Sequence, residues 1–350
     1  MAEIDRRQFL QTTAGGMAAA SAMAHPAPQT SGKVNVAVLG TRHSHIIGKL
    51  RVLRESPDYN VAGYCEPDGK PVTNEAFQGL RSMSEQELLS DRSIQLVIVE
   101  GNEHEMLPQG RKVIAAGKHA HLERLIAPVM EPFREMIEEA RAGKLNVQMG
   151  YPWRFHPGMT LAIDTARRGY LGDLYMMQAD VSTDIPQGSR NRLSQYRGGI
   201  FYDLGCYMME RILDVFGRPR EVKSFLRHDM NRPDRLDDNN MIVLEFERAL
   251  GVVYCAANMG GSRENRFLQV TGVDGWARVQ PVERGEQITV FLREARGPYK
   301  AGLQSVPVTP AARFVGEFAD MARAIRTGTP TQHNWDFELL VQETLMRAIG

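Results

Sequence analysis

Between Val34 and Met149, short apolar runs rich in β-branched residues alternate with segments of helical spacing. That alternation admits little besides a parallel sheet with helices on its faces. The runs are Val34 to Leu39, Asn60 to Cys65, Leu96 to Val99, His119 to Glu123 and Asn146 to Met149. Ile46, Ile47, Leu50 and Leu53 follow the first run at helical spacing. Pro108 to Ala116 and Glu131 to Ala142 read as further helices, stopped by Gly117 and Gly143. Right-handed crossovers then place the strand C-termini along one edge, where ligands of such sheets bind.

The pattern changes after Gly150. A helix from Met159 to Arg168 precedes a strand from Leu174 to Thr183. A polar loop from Pro186 to Arg197 then leads to an apolar helix, Phe201 to Phe216. Close-set strands follow at 222–227, 241–247, 251–257, 267–272, 277–281 and 288–292, with closing helices at 314–326 and 337–349. Short strands with tight turns imply a mostly antiparallel sheet. The expected class is α/β: a Rossmann-type doubly wound parallel sheet over residues 33–151, then an α+β domain with an open, mostly antiparallel sheet over 152–350. The chain of 350 residues has room for both.

Residues 1–32 read as a leader. Arg6 and Arg7 precede a weakly apolar Ala/Gly/Thr stretch that ends in Ala22-Met23-Ala24, the pattern of a twin-arginine signal peptide. A periplasmic or otherwise extracytoplasmic mature protein is expected. No segment reaches the ~18 apolar residues of a membrane span, so none is expected in the mature chain. Formal net charge is zero, which gives no footprint for nucleic acid. Cys65, Cys206 and Cys255 are odd in number and widely spaced, which is no disulfide framework.

Four strings resemble the Gfo/Idh/MocA oxidoreductase family: Val34 to Gly40, Ala116 to Glu123, Gly150 to Pro157, and Gly198 to Tyr207. The resemblance covers Lys33 to Gly350. It implies a dinucleotide at the first sheet and a sugar or sugar derivative between the domains. NAD, tightly bound and recycled, is the expected cofactor, with NADP less favoured. Net redox, hydrolysis and elimination through a transient keto intermediate all stay open. The resemblance also implies a homo-oligomer formed through the second sheet.

The departures are local. The family's G-x-G-x-x-G/A loop is here Gly40-Thr41-Arg42-His43-Ser44-His45, keeping only the first glycine. The family's EKP tripeptide is Glu123-Arg124-Leu125, and Tyr207 stands where the family has histidine. The expected cofactor contacts are Gly40, Arg42, His43, Ser44, His45, Glu66, Asn102, His104 and Glu123. Glu66, just after the second strand, suits ribose hydroxyls, or is an ordinary turn acid. Arg124, Asp203 and Tyr207 are the catalytic candidates. Asp203 and Tyr207 are four apart on one helix face, and Arg124 should lower the Tyr207 pKa enough for proton transfer. Arg154, His156 and Arg197 are expected to meet substrate at the cleft entrance, while Arg190 and Arg192 read better as a solvated loop. His43/His45 and His119/His121 invite a metal, yet no carboxylate completes a recognised spacing, and no metal is expected. The alternative reading is a non-catalytic polyol- or anion-binding protein that has lost the family's lysine and histidine.

Overall fold

The computed structural model describes residues 32–124, 126 and 128–350. The expected export signal lies outside the described residues. Five strands, β1 (Val34–Leu39), β2 (Tyr59–Cys65), β3 (Leu96–Val99), β4 (His119–Leu122) and β5 (Val147–Met149), form a parallel sheet in the order β2-β1-β3-β4-β5. Helices α1 (Ile46–Glu55), α2 (Glu85–Ser90), α3 (Glu103–Ala115) and α4 (Glu131–Ala142) connect them. The strand order reverses between β1 and β3, and this switch point opens on the strand C-termini. The strands are short, mostly buried, and stop at Gly40, Glu66, Glu100, Glu123 or Gly150.

Helix α5 (Pro157–Arg167) leads into the second sheet. Its strands are β6 (Leu174–Asp180), β7 (Glu221–Arg227), β8 (Asn239–Glu245), β9 (Leu250–Ala256), β10 (Phe267–Gly272), β11 (Gly275–Val279), β12 (Gln287–Leu292) and β13 (Gly302–Pro307). The order is β13-β12-β11-β10-β6-β9-β8-β7, and only β6 and β9 pair in parallel. One face buries Met177, Ile242, Val253, Val270 and Val290 beneath helices. The pairing register puts Phe225, Met241, Leu250, Trp276, Phe291 and Leu303 together on the other face.

Two expected features differ. The Pro186–Arg197 stretch is not all loop, because Gln187–Leu193 forms helix α6 with Leu193 and Arg190 buried. The helix expected from Phe201 opens with a π-turn, Phe201–Gly205, before the regular helix α7 (Cys206–Phe216). The last two helices, α8 (Val315–Thr327) and α9 (Trp335–Ile349), return to the first sheet. Phe314, Phe318 and Met321 share a core with Val34, Val36, Leu50 and Leu53. The Tyr59 hydroxyl donates to the Phe318 carbonyl at 2.7 Å.

Candidate functional site

The loop after β1 turns on Gly40, whose φ of +83° favours glycine. A Cβ there would sit 2.7 Å from the Gly101 amide nitrogen, so the loop packs directly on the end of β3. The amides of Arg42 and His43 both donate to the Glu100 carbonyl, at 2.9 and 3.2 Å. The His45 amide reaches Nδ1 of His43 at 3.3 Å. A phosphate cradle needs such N–H groups pointing outward. Here three of them are turned inward. The loop therefore does not offer the pyrophosphate grip that the three-glycine arrangement supplies.

Beneath the loop lies a cluster of buried charge. Lys49 projects from α1 and is completely buried, with its ammonium 2.5 Å from Oε1 of Glu100 and 2.5 Å from Oε2 of Glu123. His45 Nδ1 lies 3.0 Å from the same Glu123 oxygen, and His43 Nδ1 is 3.7 Å from both Glu123 and Glu100. Burial works against the Lys49 charge, but Glu100 and Glu123 outweigh it and raise its pKa. Burial would also raise Glu123, yet Lys49 and His45 hold it well below the usual carboxylate range. Glu100, with fewer partners, is pushed up to about 8 by burial against the opposing pull of Lys49. Glu317, buried on α8, is likewise raised to about 7 by burial. Burial lowers His43 to about 4, so its ring is neutral near pH 7.

Gly40, Arg42, His43, Ser44, His45, Glu66, Asn102 and Glu123 fall along this edge, in the segments after β1 to β4, and His104 lies in the first turn of α3. Their roles differ from the simple expectation. Glu66 accepts a hydrogen bond from the Thr41 hydroxyl, and Arg42 spans Glu66 and Asp68. Asn102 starts α3 and donates to Glu105, while His104 and Ser44 are exposed. Sequence reasoning missed Lys49, Glu100 and Glu317. Lys49 did leave a signal: it occupies the apolar stripe set by Ile46, Leu50 and Leu53, where an unpaired lysine does not belong. His43, His45 and Glu123, for which no metal was expected, bring ligating atoms within 4.8 Å of one another.

The expected catalytic trio needs correction. Arg124 does reach from the end of β4 to helix α7, but its guanidinium stacks over the Tyr207 ring at 3.7 Å. Its Nη1 donates to the Tyr202 carbonyl at 3.4 Å and lies 3.2 Å from Cys206 Sγ, and Asp203 is 4.0 Å from Nη2. Burial raises the Tyr207 pKa more than Arg124 lowers it, so the expected downward shift is reversed. A buried phenol shifted upward is a poor base at neutral pH. Asp203 keeps 29% side-chain exposure whereas Tyr207 is buried, and both meet the Arg124 guanidinium.

The expected substrate contacts are also corrected. Arg154 is buried and its guanidinium grips both oxygens of Glu338, at 2.6 and 3.0 Å, and Glu210 at 2.9 Å. His156 caps α5: Nδ1 accepts the Met159 amide and Nε2 lies 2.8 Å from the Val282 carbonyl. Arg197 lines a 280 Å³ cavity with Val222, Arg347 and the C-terminal Gly350, apart from the first-sheet edge. Arg190 is buried rather than solvated, paired to Asp234 and Asp238 at 2.7 Å each. Arg192 is exposed and pairs with Glu103.

Comparison with known proteins fits this architecture. The family model for the GFO/IDH/MocA C-terminal domain matches residues 161–278. That match and the oxidoreductase relatives support a Gfo/Idh/MocA oxidoreductase-like protein. An uncharacterized oxidoreductase of Schizosaccharomyces pombe is 22% identical over 249 residues, 67% of each chain. The trans-1,2-dihydrobenzene-1,2-diol dehydrogenase of Bos taurus is 25% identical over 230 residues, covering 61% of this chain and 65% of that enzyme. The chain thus spans about three fifths of the length of the dihydrodiol dehydrogenases it matches. A levoglucosan dehydrogenase solved with NADH and levoglucosan superposes with a TM-score of 0.76 at 18% identity, covering 91% of this chain and 96% of that one. At that identity the likeness is one of fold. The chain therefore carries the two-sheet frame of these structures, with a first loop that departs from the three-glycine arrangement.

Proposed function

We propose that the protein oxidises or reduces a secondary hydroxyl of a sugar or cyclic diol, with NAD as its cofactor. Named relatives act on such hydroxyls, a dihydrobenzenediol in one case, and levoglucosan is bound beside NADH in another. The observation that carries the cofactor reading is Glu66. It lies at the C-terminal end of β2, beside the Gly40 loop, where an acid can take ribose hydroxyls. Its partners Thr41 and Arg42 sit at the loop surface and can exchange for those hydroxyls. A 2′-phosphate would have to draw Arg42 away from both Glu66 and Asp68, which supports NAD over NADP. The adenosine end of the site fits; the inward-turned amides do not fit the pyrophosphate in the three-glycine manner.

Calorimetric titration of the full chain tests the reading. NAD should bind more tightly than NADP, and Glu66→Ala should narrow the difference. No binding of either, in the parent protein, sinks the reading and leaves the polyol- or anion-binding one. The inward loop amides and the buried Tyr207 are the observations that favour that second reading.

Two further expectations belong to the proposal. The Arg6-Arg7 leader directs export, and replacing both arginines with lysine should leave the precursor in the cytoplasm. The apolar face carrying Phe225, Met241 and Leu303 joins copies of the chain, and Leu303→Glu should lower the sedimentation coefficient of the assembly.

A further inference from the structure

The charge beneath the first loop is unbalanced. Glu100, Glu123 and Glu317 are at most 1% exposed; the Lys49 ammonium pairs with the first two, and Glu317 acts on it only through its charge. Oε2 of Glu100 and both carboxyl oxygens of Glu317 lack a hydrogen-bond partner. Buried carboxylates left in this condition are costly, and they call for a further cation or for protons. On the solvent side the cluster is closed by two imidazoles, His43 at 30% and His45 at 20% side-chain exposure. A path from solvent to the carboxylates therefore runs between two good nitrogen donors.

We propose that His43, His45 and Glu123 bind a divalent first-row transition-metal ion, with Oε2 of Glu100 as the adjoining oxygen. Ligand atoms around tetrahedral zinc stand about 3.3 Å apart, given bonds near 2.0–2.1 Å. The Glu123 oxygen is 3.0 Å from His45 Nδ1 and 3.7 Å from His43 Nδ1, which brackets that spacing before any ion pulls the groups in. Glu100 Oε2 lies 3.7 Å from His43 Nδ1, which gives this orphaned oxygen a place on the same ion. Two imidazoles and a carboxylate suit zinc, iron, cobalt or nickel, and disfavour calcium and magnesium, which take oxygen ligands. The surrounding bonds can orient the ligands: Glu123 Oε1 accepts the Arg124 amide at 3.0 Å.

Three existing contacts must yield. The His45 amide releases His43 Nδ1, a long contact at 3.3 Å. Arg313, which is exposed, moves off His45 Nε2, also at 3.3 Å. Lys49 gives up Glu123 and keeps Glu100, with Glu317 as a second anion. None of these moves requires a backbone rearrangement. The arrangement also gives the loop a purpose that suits its inward amides: it presents imidazoles downward in place of N–H groups outward.

The test is metal binding without dinucleotide or substrate, so its result is independent of the NAD reading. Zn²⁺ titrated into the metal-free full chain, followed by calorimetry, should show one equivalent bound, and Co²⁺ should give a ligand-field absorption band. His43→Ala and His45→Ala should each weaken binding more than about 100-fold, beyond the 10–100-fold usual for an outer-shell partner. His104→Ala, an exposed histidine on the neighbouring helix, should bind as the parent does. Lys49→Met should tighten binding, because the ion then replaces the buried ammonium. Either of two results overturns the proposal: neither the parent nor folded Lys49→Met takes up an equivalent of Zn²⁺ or Co²⁺, or His43→Ala and His45→Ala bind as tightly as the parent.

Discussion

One buried charge cluster draws on Glu317 of α8 and a neighbouring one on Glu338 of α9, and they are built on different terms. Around Arg154, the buried guanidinium and carboxylate groups are answered. Arg154 holds Glu338 and Glu210, Arg211 holds the other oxygen of Glu210, and Arg211 Nη1 caps the Arg154 carbonyl at 3.1 Å. Around Lys49, one ammonium bonds two of three buried carboxyl groups, and three carboxyl oxygens have no hydrogen-bond partner. A balanced buried network fixes how α5, α7 and α9 meet. An unbalanced one is strained on its own account and is receptive to something it lacks. Burial alone therefore does not distinguish scaffold from site; the match between donors and acceptors does.

The largest expected effect breaks the balanced cluster. Arg154→Met leaves Glu338 and Glu210 buried with fewer partners, and should cost about 3–5 kcal/mol in urea unfolding. Lys49→Met at pH 6 should cost less than that, because Glu100 and Glu317 can then hold protons. Equal losses would erase the distinction between the clusters.

Glu317→Gln should act in the opposite direction. The folded pKa of about 7 lies above the ordinary 4.5, so the native state holds the proton more tightly. Stability tied to this group is present below pH 4.5 and is lost as pH rises to 7. Glutamine removes that loss, so the variant should be more stable than the parent at pH 8 by about 1–3 kcal/mol, with no gain at pH 4.5. An unchanged difference across this range would show that Glu317 is well solvated.

Acid should affect the balanced cluster instead. Burial, helped by Arg154, lowers His333 to about 4, below its usual 6.5. The unfolded chain then binds the proton first, so stability is complete above pH 6.5 and falls as pH drops toward 4. At pH 5.5 the loss should be about 1.4 kcal/mol. His333→Gln should flatten that limb of the pH–stability curve.

The smallest effect is expected at Tyr207. Phenylalanine keeps the ring beneath the Arg124 guanidinium, so Tyr207→Phe should change stability by less than about 1 kcal/mol. With any substrate that turns over, its rate should stay within a few-fold of the parent. A 10²–10⁴-fold loss of turnover would restore the tyrosine as an acid/base group.

The first sheet was legible in the sequence because short, mostly apolar runs alternate with helical spacing and stop at Gly40, Glu66, Glu100, Glu123 and Gly150. The same rule placed Glu66 and Glu123 on the ligand edge. Arg154 was misplaced because its partner Glu338 lies 184 positions away, and no local pattern announces such a pair. Tyr207 does stand beside Arg124, but its burial, which raises its pKa, leaves no mark in the local sequence. Strand β13 was missed because its burial alternates only between exposed and half-buried. Lys49 could have been read: a lysine in an apolar stripe asks for a buried anion, and two strands end in glutamate nearby.

The return of α8 to the first sheet bears on how the protein is made. Tyr59 and Phe318 are hydrogen-bonded across 259 positions of chain. At 5–20 residues per second, a ribosome needs roughly 13–50 s to deliver the second partner after the first. Throughout that interval Val34, Val36, Leu50 and Leu53 lack the aromatic cover that Phe314 and Phe318 later supply. The nascent first sheet should therefore be a client for chaperones and open to protease until the last forty residues have emerged, and a chain truncated before Phe314 should not protect β1 from hydrogen exchange.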